Sequence, residues 1–155
     1  MSAARRASRQ AALQVLYALD VGHGAGHSAR ADEAFEAVTA HFELAEGARA
    51  FAKELVAGVT QRRAEIDALI AAHATNWRVE RMAAVDRNVL RIAVYEMQHA
   101  GTPPTVAIDE AVELARRFGS ERSSAFVNGV LDAVAHAPAV EHAAPVEAGA
   151  REEEP

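Results

Sequence analysis

Apolar residues recur along this chain at intervals of three and four rather than two, a pattern that predicts helices and no strands. In the first segment Ala12, Val15, Leu16 and Leu19 follow the i, i+3, i+4, i+7 rule. A helix is therefore expected from about Ala3 to Val21, stopped by the glycine-rich stretch Gly22 to Gly26. A short second pattern starts near Ala34 and runs through Phe35, Val38 and Phe42. After Gly47 a longer one carries Ala52, Leu55, Val56 and Val59 and continues through Ile66, Leu69 and Ile70, with Gly58 as a point where the helix bends or weakens.

The segment from about Ala83 to Ala100 is different in kind. Val85, Val89, Ile92 and Ala93 occupy one side and Leu90, Val94 and Met97 another, and a helix apolar over most of its circumference is a buried, central one. Gly101, Pro103 and Pro104 break it. Thr105 is the expected N-cap of the next helix, whose first turns hold Asp109, Glu110 and Glu113 near the positive end of the helix dipole. Ile108, Ala111, Val112, Ala115 and Phe118 form its stripe, and Gly119 ends it. A last helix, from about Glu121 to His136, sets Val127, Val130, Leu131 and Val134 on one face. Beyond Pro138 there is too little bulky apolar surface to offset the entropy of ordering. Residues 1–137 are thus expected to form one helical domain and 138–155 a disordered acidic tail.

Composition agrees with helices packed on helices. Half of the residues are hydrophobic but only 5% are aromatic, and all the dominant types except Val are good helix formers. The length, 155 residues, suits a single core that hides roughly two-thirds of the unfolded surface. Absence of cysteine excludes disulfides and thiolate zinc sites. With no apolar run long enough for a signal peptide or a bilayer span, the chain is expected to be unprocessed, cytoplasmic and without membrane contact.

A net charge of −6 argues at first against a polyanionic partner. Its distribution argues the other way: residues 138–155 hold five Glu and one Arg, whereas residues 1–19 hold three Arg and no acid. Arg5 and Arg6 stand four and three positions before Arg9, a spacing that gathers guanidinium groups at a helix start, either as a phosphate-binding patch or as a solvated basic end. Phe126 sits at the edge of the last apolar stripe beside Arg122, Ser123 and Ser124, either as ordinary core or as a ring on which an RNA base stacks. His23 and His27 have a four-residue spacing, but they lie among glycines with no further ligand nearby, so no metal or other cofactor is expected. The serines lie in no nucleophile motif, no phosphate-binding glycine loop is present, and Asp109 and Glu110 are accounted for as first-turn helix acids; no enzymatic activity is expected.

Four stretches carry a resemblance. They are Ala4-Arg5-Arg6 leading to Gln14-Val15-Leu16-Tyr17, then Val85-Asp86-Arg87-Asn88-Val89-Leu90-Arg91-Ile92-Ala93-Val94-Tyr95-Glu96, then Val106-Ala107-Ile108-Asp109-Glu110-Ala111-Val112-Glu113-Leu114-Ala115, and Phe126-Val127-Asn128-Gly129-Val130-Leu131-Asp132. In this order and spacing they resemble the NusB family of transcription antitermination factors. The resemblance implies an all-α fold of about seven helices in two small bundles, which requires the third pattern to be split. It also implies binding to the boxA element of ribosomal RNA transcripts as a heterodimer with NusE, a ribosomal small-subunit protein, and entry into an antitermination complex on RNA polymerase. Carried over by position, the RNA surface comprises Arg5, Arg6, Arg9 and Phe126, with Arg122 and Ser123 beside the ring. The partner surface comprises Tyr17, Asp86 and Arg91, unless Arg91 is paired with an internal acid. Ala7 and Ser8 interrupt a basic run that is denser in related sequences.

Two other functions fit the same residues. One is a helical scaffold that binds only proteins, or that homodimerises when free and hides its RNA face. The other is a NusB-like domain of the kind that precedes ribosomal RNA cytosine methyltransferases, which would need a Rossmann-like domain after it. The RNA reading makes one geometric demand: the start of the first helix and Phe126 must lie close enough to hold one strand.

Overall fold

The computed structural model describes residues 3–22 and 28–137. The expected acidic tail and the His23/His27 pair lie outside the described residues. Among the described residues there are seven α-helices and no strand: α1 Ala3–Val21, α2 Ser28–Thr39, α3 Glu46–Gln61, α4 Arg63–His73, α5 Ala84–His99, α6 Pro104–Phe118 and α7 Ser123–Ala135, with a 3-10 turn over Val79–Arg81 before α5. None of these helices is long and apolar enough to cross a membrane.

Helices α1, α2 and α3 pack on one another as a first bundle, and α4 to α7 form a second. The central helix is α5, as its two-sided apolar pattern demands: it packs against α1, α3, α4, α6 and α7, and every residue from Asn88 to Glu96 is buried. The third pattern does split, but not at Gly58. The break comes at Arg62, whose φ of −111° ends α3 before α4 begins. Gly58 has another purpose: a Cβ there would lie 2.2 Å from Cε1 of Tyr95. Its missing side chain lets the ring of α5 lie close against α3.

The start of α6 corrects a second expectation. Pro103 is the N-cap and Pro104 the first helical residue, so Thr105 lies inside the helix and caps nothing. Proline suits that position because its fixed φ is already helical and its missing N–H has no partner to lose. The first turn consequently contains no acid. Glu110 lies further along and is buried, so its explanation is not the dipole but a partner on α1.

Ion pairs fix the helix directions. Arg9, early in α1, meets Glu96, late in α5, whereas Asp20, late in α1, meets Arg87, early in α5. The two helices are antiparallel. The short Gly101–Pro103 turn likewise folds α6 back along α5, bringing Phe118 to the same hollow as Val85. The first turn of α7 follows directly, beside the start of α5.

Candidate RNA and protein interfaces

The three N-terminal arginines share a helix but not an environment. Arg5 is exposed, with its guanidinium 4.0 Å above the ring of Phe51. Arg6, whose side chain is 53% exposed, donates from Nε and Nη2 to the two carboxylate oxygens of Glu110, both at 3.1 Å. Arg9 is 1% exposed. Its Nε and Nη2 each donate to Glu96 at 2.7 Å, Thr102 donates to the same carboxylate at 2.9 Å, and Glu110 lies 3.9 Å from Nη1.

Arg9 therefore cannot reach a phosphate in this fold, and its assignment to the RNA surface is corrected. The reason is periodic: Arg9, Ala12, Leu13 and Leu16 occupy the i, i+3, i+4, i+7 stripe that α1 buries. Ser8 belongs to the same inner face, its hydroxyl 2.7 Å from the carbonyl of Ala48, so the interruption of the basic run is itself a packing contact.

At the other candidate cluster, Phe126 is half-buried and its ring meets that of Trp77 edge-on, with centroids 5.6 Å apart. The pair opens on a cavity of about 380 Å³ bounded also by Met82, Ala83, Asp86 and Arg122. Arg122 is exposed at the N-cap of α7. Ser123 is corrected: it is 1% exposed, accepts the Ser120 N–H at 2.9 Å and fills the space over Gly119, so it closes the turn between α6 and α7. The Oδ1 of Asp86 is buried with no hydrogen-bond partner. A buried acceptor left unsatisfied costs free energy until a donor arrives from outside.

These clusters lie toward opposite ends of α5. The arginines are beside Glu96 and Glu110, while the aromatic cavity is beside Asp86. From Asp86 to Glu96 is about 15 Å of helix rise, and from Glu110 to Phe118 about 12 Å. The single basic-aromatic clamp expected from the sequence is thus two anchor points, which one strand must span rather than one nucleotide bridge.

The partner residues also separate. Tyr17 is 42% exposed and forms a shallow apolar hollow of about 200 Å³ with Leu13, Val85 and Phe118. Asp86 follows Val85 on the same end of α5. Arg91 does not join them: it is buried, donates to Asp67 at 2.8 and 2.9 Å, to Asp20 at 3.1 Å and to Asn88 at 3.0 Å. It is the internally paired arginine of the alternative reading. Two exposed aromatics, Trp77 and Phe118, carry no site signal in the sequence pattern, Trp77 because it falls in a turn outside any helical stripe and Phe118 because it continues the apolar stripe of α6.

The same fold recurs in proteins of a known family. The NusB family profile matches residues 6–136. A transcription antitermination protein NusB of Solibacter usitatus is 47% identical over 137 residues, covering 85% of this chain and 88% of that protein. Among solved structures, T. maritima NusB superposes with a TM-score of 0.71 at 35% identity, over 92% of this chain and 99% of that one. A crystal structure of the antitermination factors NusB and NusE in complex with dsRNA gives a TM-score of 0.76 at 30% identity, over 86% of this chain and 97% of the matched one.

Proposed function

This chain belongs to the NusB family, and we propose that it is a transcription antitermination factor that binds boxA-type RNA of ribosomal RNA transcripts together with NusE and joins the antitermination complex on RNA polymerase. The observation that carries this reading is its likeness, over nearly the whole described body, to a NusB solved with both NusE and RNA. It works by binding and not as an enzyme, in the cytoplasm where transcripts are made. Residues 1–137 are the binding domain, and residues 138–155 are the acidic segment that follows in sequence.

Arg5 and Arg6 hold phosphates at one end of the RNA surface, and Phe126 with Arg122 holds a base and its phosphate at the other. Arg6 reaches RNA by exchanging one charge-assisted contact, with Glu110, for another. NusE takes the Tyr17–Val85–Phe118 hollow, where half-exposed aromatics of this kind anchor protein interfaces, with Asp86 next to Val85 on α5.

Titration of labelled single-stranded boxA RNA, with and without NusE, tests the RNA half. Phe126→Ala is expected to weaken binding roughly fivefold to a hundredfold and leave the salt slope unchanged, because a stacking contact releases no counterions. Arg5→Ala is expected to reduce the slope of log affinity against log salt by about 0.7. Binding absent under both conditions would mean a protein scaffold instead, and preference for the duplex form of the same RNA would remove the stacking role of Phe126. For the protein half, Tyr17→Ala is expected to weaken NusE binding by roughly thirtyfold in calorimetry, the effect of losing an interface anchor of about 2 kcal/mol. Unchanged affinity would move the partner surface elsewhere.

A further inference from the structure

The aromatic cavity does not end at Phe126. Trp77 forms part of its wall and also part of the wall of a second, larger hollow of about 740 Å³ that runs between α4 and the start of α5. The indole is 53% exposed, unusual for the largest apolar side chain in the protein. Its presentation is built into the backbone: Asn76 takes a positive φ of 70°, a conformation asparagine tolerates better than most residues, and the Trp77 N–H then donates to the Ala74 carbonyl at 3.0 Å. The chain reverses there, and the ring stands between the two hollows.

Beyond the ring, the floor of the groove is one face of α4 made of Ala64, Ala68 and Ala71, flat and without bulky side chains. Its lining carries Arg63, Arg78, Arg87 and Arg91 against Asp20, Asp67 and Glu80, with Arg87 and Arg91 held by Asp20 and Asp67 and the other two arginines at the rim. Arg78 is exposed and only loosely opposed by Glu80 at 3.9 Å; Arg63 is 3.8 Å from Asp67, a carboxylate already engaged by two closer bonds from Arg91. A protein partner would find few bulky side chains to bury here. An indole face followed by a flat floor and flanking guanidinium groups instead matches the bases and phosphates of an unpaired strand.

We propose that Trp77 is a second base-stacking platform and that the α4–α5 groove carries the same RNA strand onward from Phe126, with its phosphates at Arg63 and Arg78. This rests on the RNA-binding function above, which assigns Phe126 but nothing beyond it. The strand would enter past Arg122, stack on Phe126 and Trp77 in turn, and leave along the alanine floor.

The test uses the full chain saturated with NusE and a labelled boxA RNA carrying six extra nucleotides on each side. Trp77→Ala is expected to weaken binding at least about fivefold and Trp77→Phe to restore most of it. Arg78→Ala, at an exposed position that cannot disturb the core, is expected to lower the salt slope by about 0.7. Trp77 is the single tryptophan of the chain, so RNA added to the parent should quench an emission that Trp77→Phe lacks. If Phe126→Ala weakens binding while Trp77→Ala and Arg78→Ala behave like the parent, this inference fails and the RNA-binding function stands. If the parent does not bind, or Phe126→Ala also behaves like the parent, the RNA surface itself is wrong. If Trp77→Ala loosens NusE and leaves RNA affinity at saturating NusE unchanged, the groove belongs to a protein and the inference is overturned.

Discussion

Arg9→Ala is expected to lower the melting temperature by about 10–20 °C while leaving RNA affinity per folded molecule close to that of the parent. Removing one member of a buried ion pair strands the other charge, at a cost of about 3–5 kcal/mol. For a body of this size each kcal/mol moves the melting temperature by about 3–5 °C. Glu96 would keep only the Thr102 hydroxyl, with Glu110 close by and itself reduced to its contact with Arg6. Replacing both partners, with Arg9→Met and Glu96→Leu, should recover most of the loss, because two apolar groups of similar volume need no solvation. Thermal melts by circular dichroism, with RNA titrations well below the transition, check this. A melting temperature within about 2 °C of the parent together with weakened RNA binding would return Arg9 to the RNA surface.

Arg9 also marks the limit of what periodicity can tell. Most of the helices are legible: α1 has the expected bounds, α5 is recognisable as central from apolar residues on two sides, and the last helix lies within two residues of its expected ends, whereas α2 begins at Ser28 rather than near Ala34 and the third pattern is two helices, α3 and α4. Charge is the poorer guide, because a cation at a helix start looks like surface whether or not it is. The spacing of Arg5 and Arg9 puts them on one side of a helix but does not say whether that side faces inward, and the deciding partner, Glu96, is 87 positions away. One signal is present: an arginine in register with Ala12, Leu13 and Leu16 occupies a core position, and a core cation requires a buried acid. Arg91 in the all-round apolar α5 gives the same signal, and there it points correctly to an internal pair. Trp77 leaves none, since its exposure depends on the turn at Asn76 and on Phe126, 49 positions later in the chain.

The second large effect is expected at Asp20, which joins the end of α1 to the start of α5. Its carboxylate accepts from Arg87 at 2.6 and 2.9 Å, from Asn88 at 2.8 Å and from Arg91 at 3.1 Å. Burial pushes this carboxyl's pKa up, but the hydrogen bonds from Arg87 and Asn88 and the charges of Arg87 and Arg91 outweigh burial and hold it below the usual carboxylate range. Asp20→Ala is expected to cost about 3–5 kcal/mol at neutral pH, because Arg87 and Arg91 lose a shared counter-charge inside the protein. The pH dependence follows from the direction of the shift. A carboxyl with a depressed folded-state pKa contributes fully above its unfolded value of about 4, and the contribution fades as pH falls from there through the folded value. Urea unfolding should therefore show a constant gap between the parent and Asp20→Asn from about pH 8 to 5, closing on further acidification; a gap that stays fully open through the acid limb of the titration would refute the assignment. The clamp also has a functional side. Tyr17 precedes Asp20 by three residues on α1, and Asp86 precedes Arg87 on α5, so the ion pair fixes the spacing of the two groups assigned to the protein partner. Asp20→Asn should then weaken NusE binding at pH 7 even where the fold is intact, through a surface that the uncharged amide leaves in place but no longer holds in register.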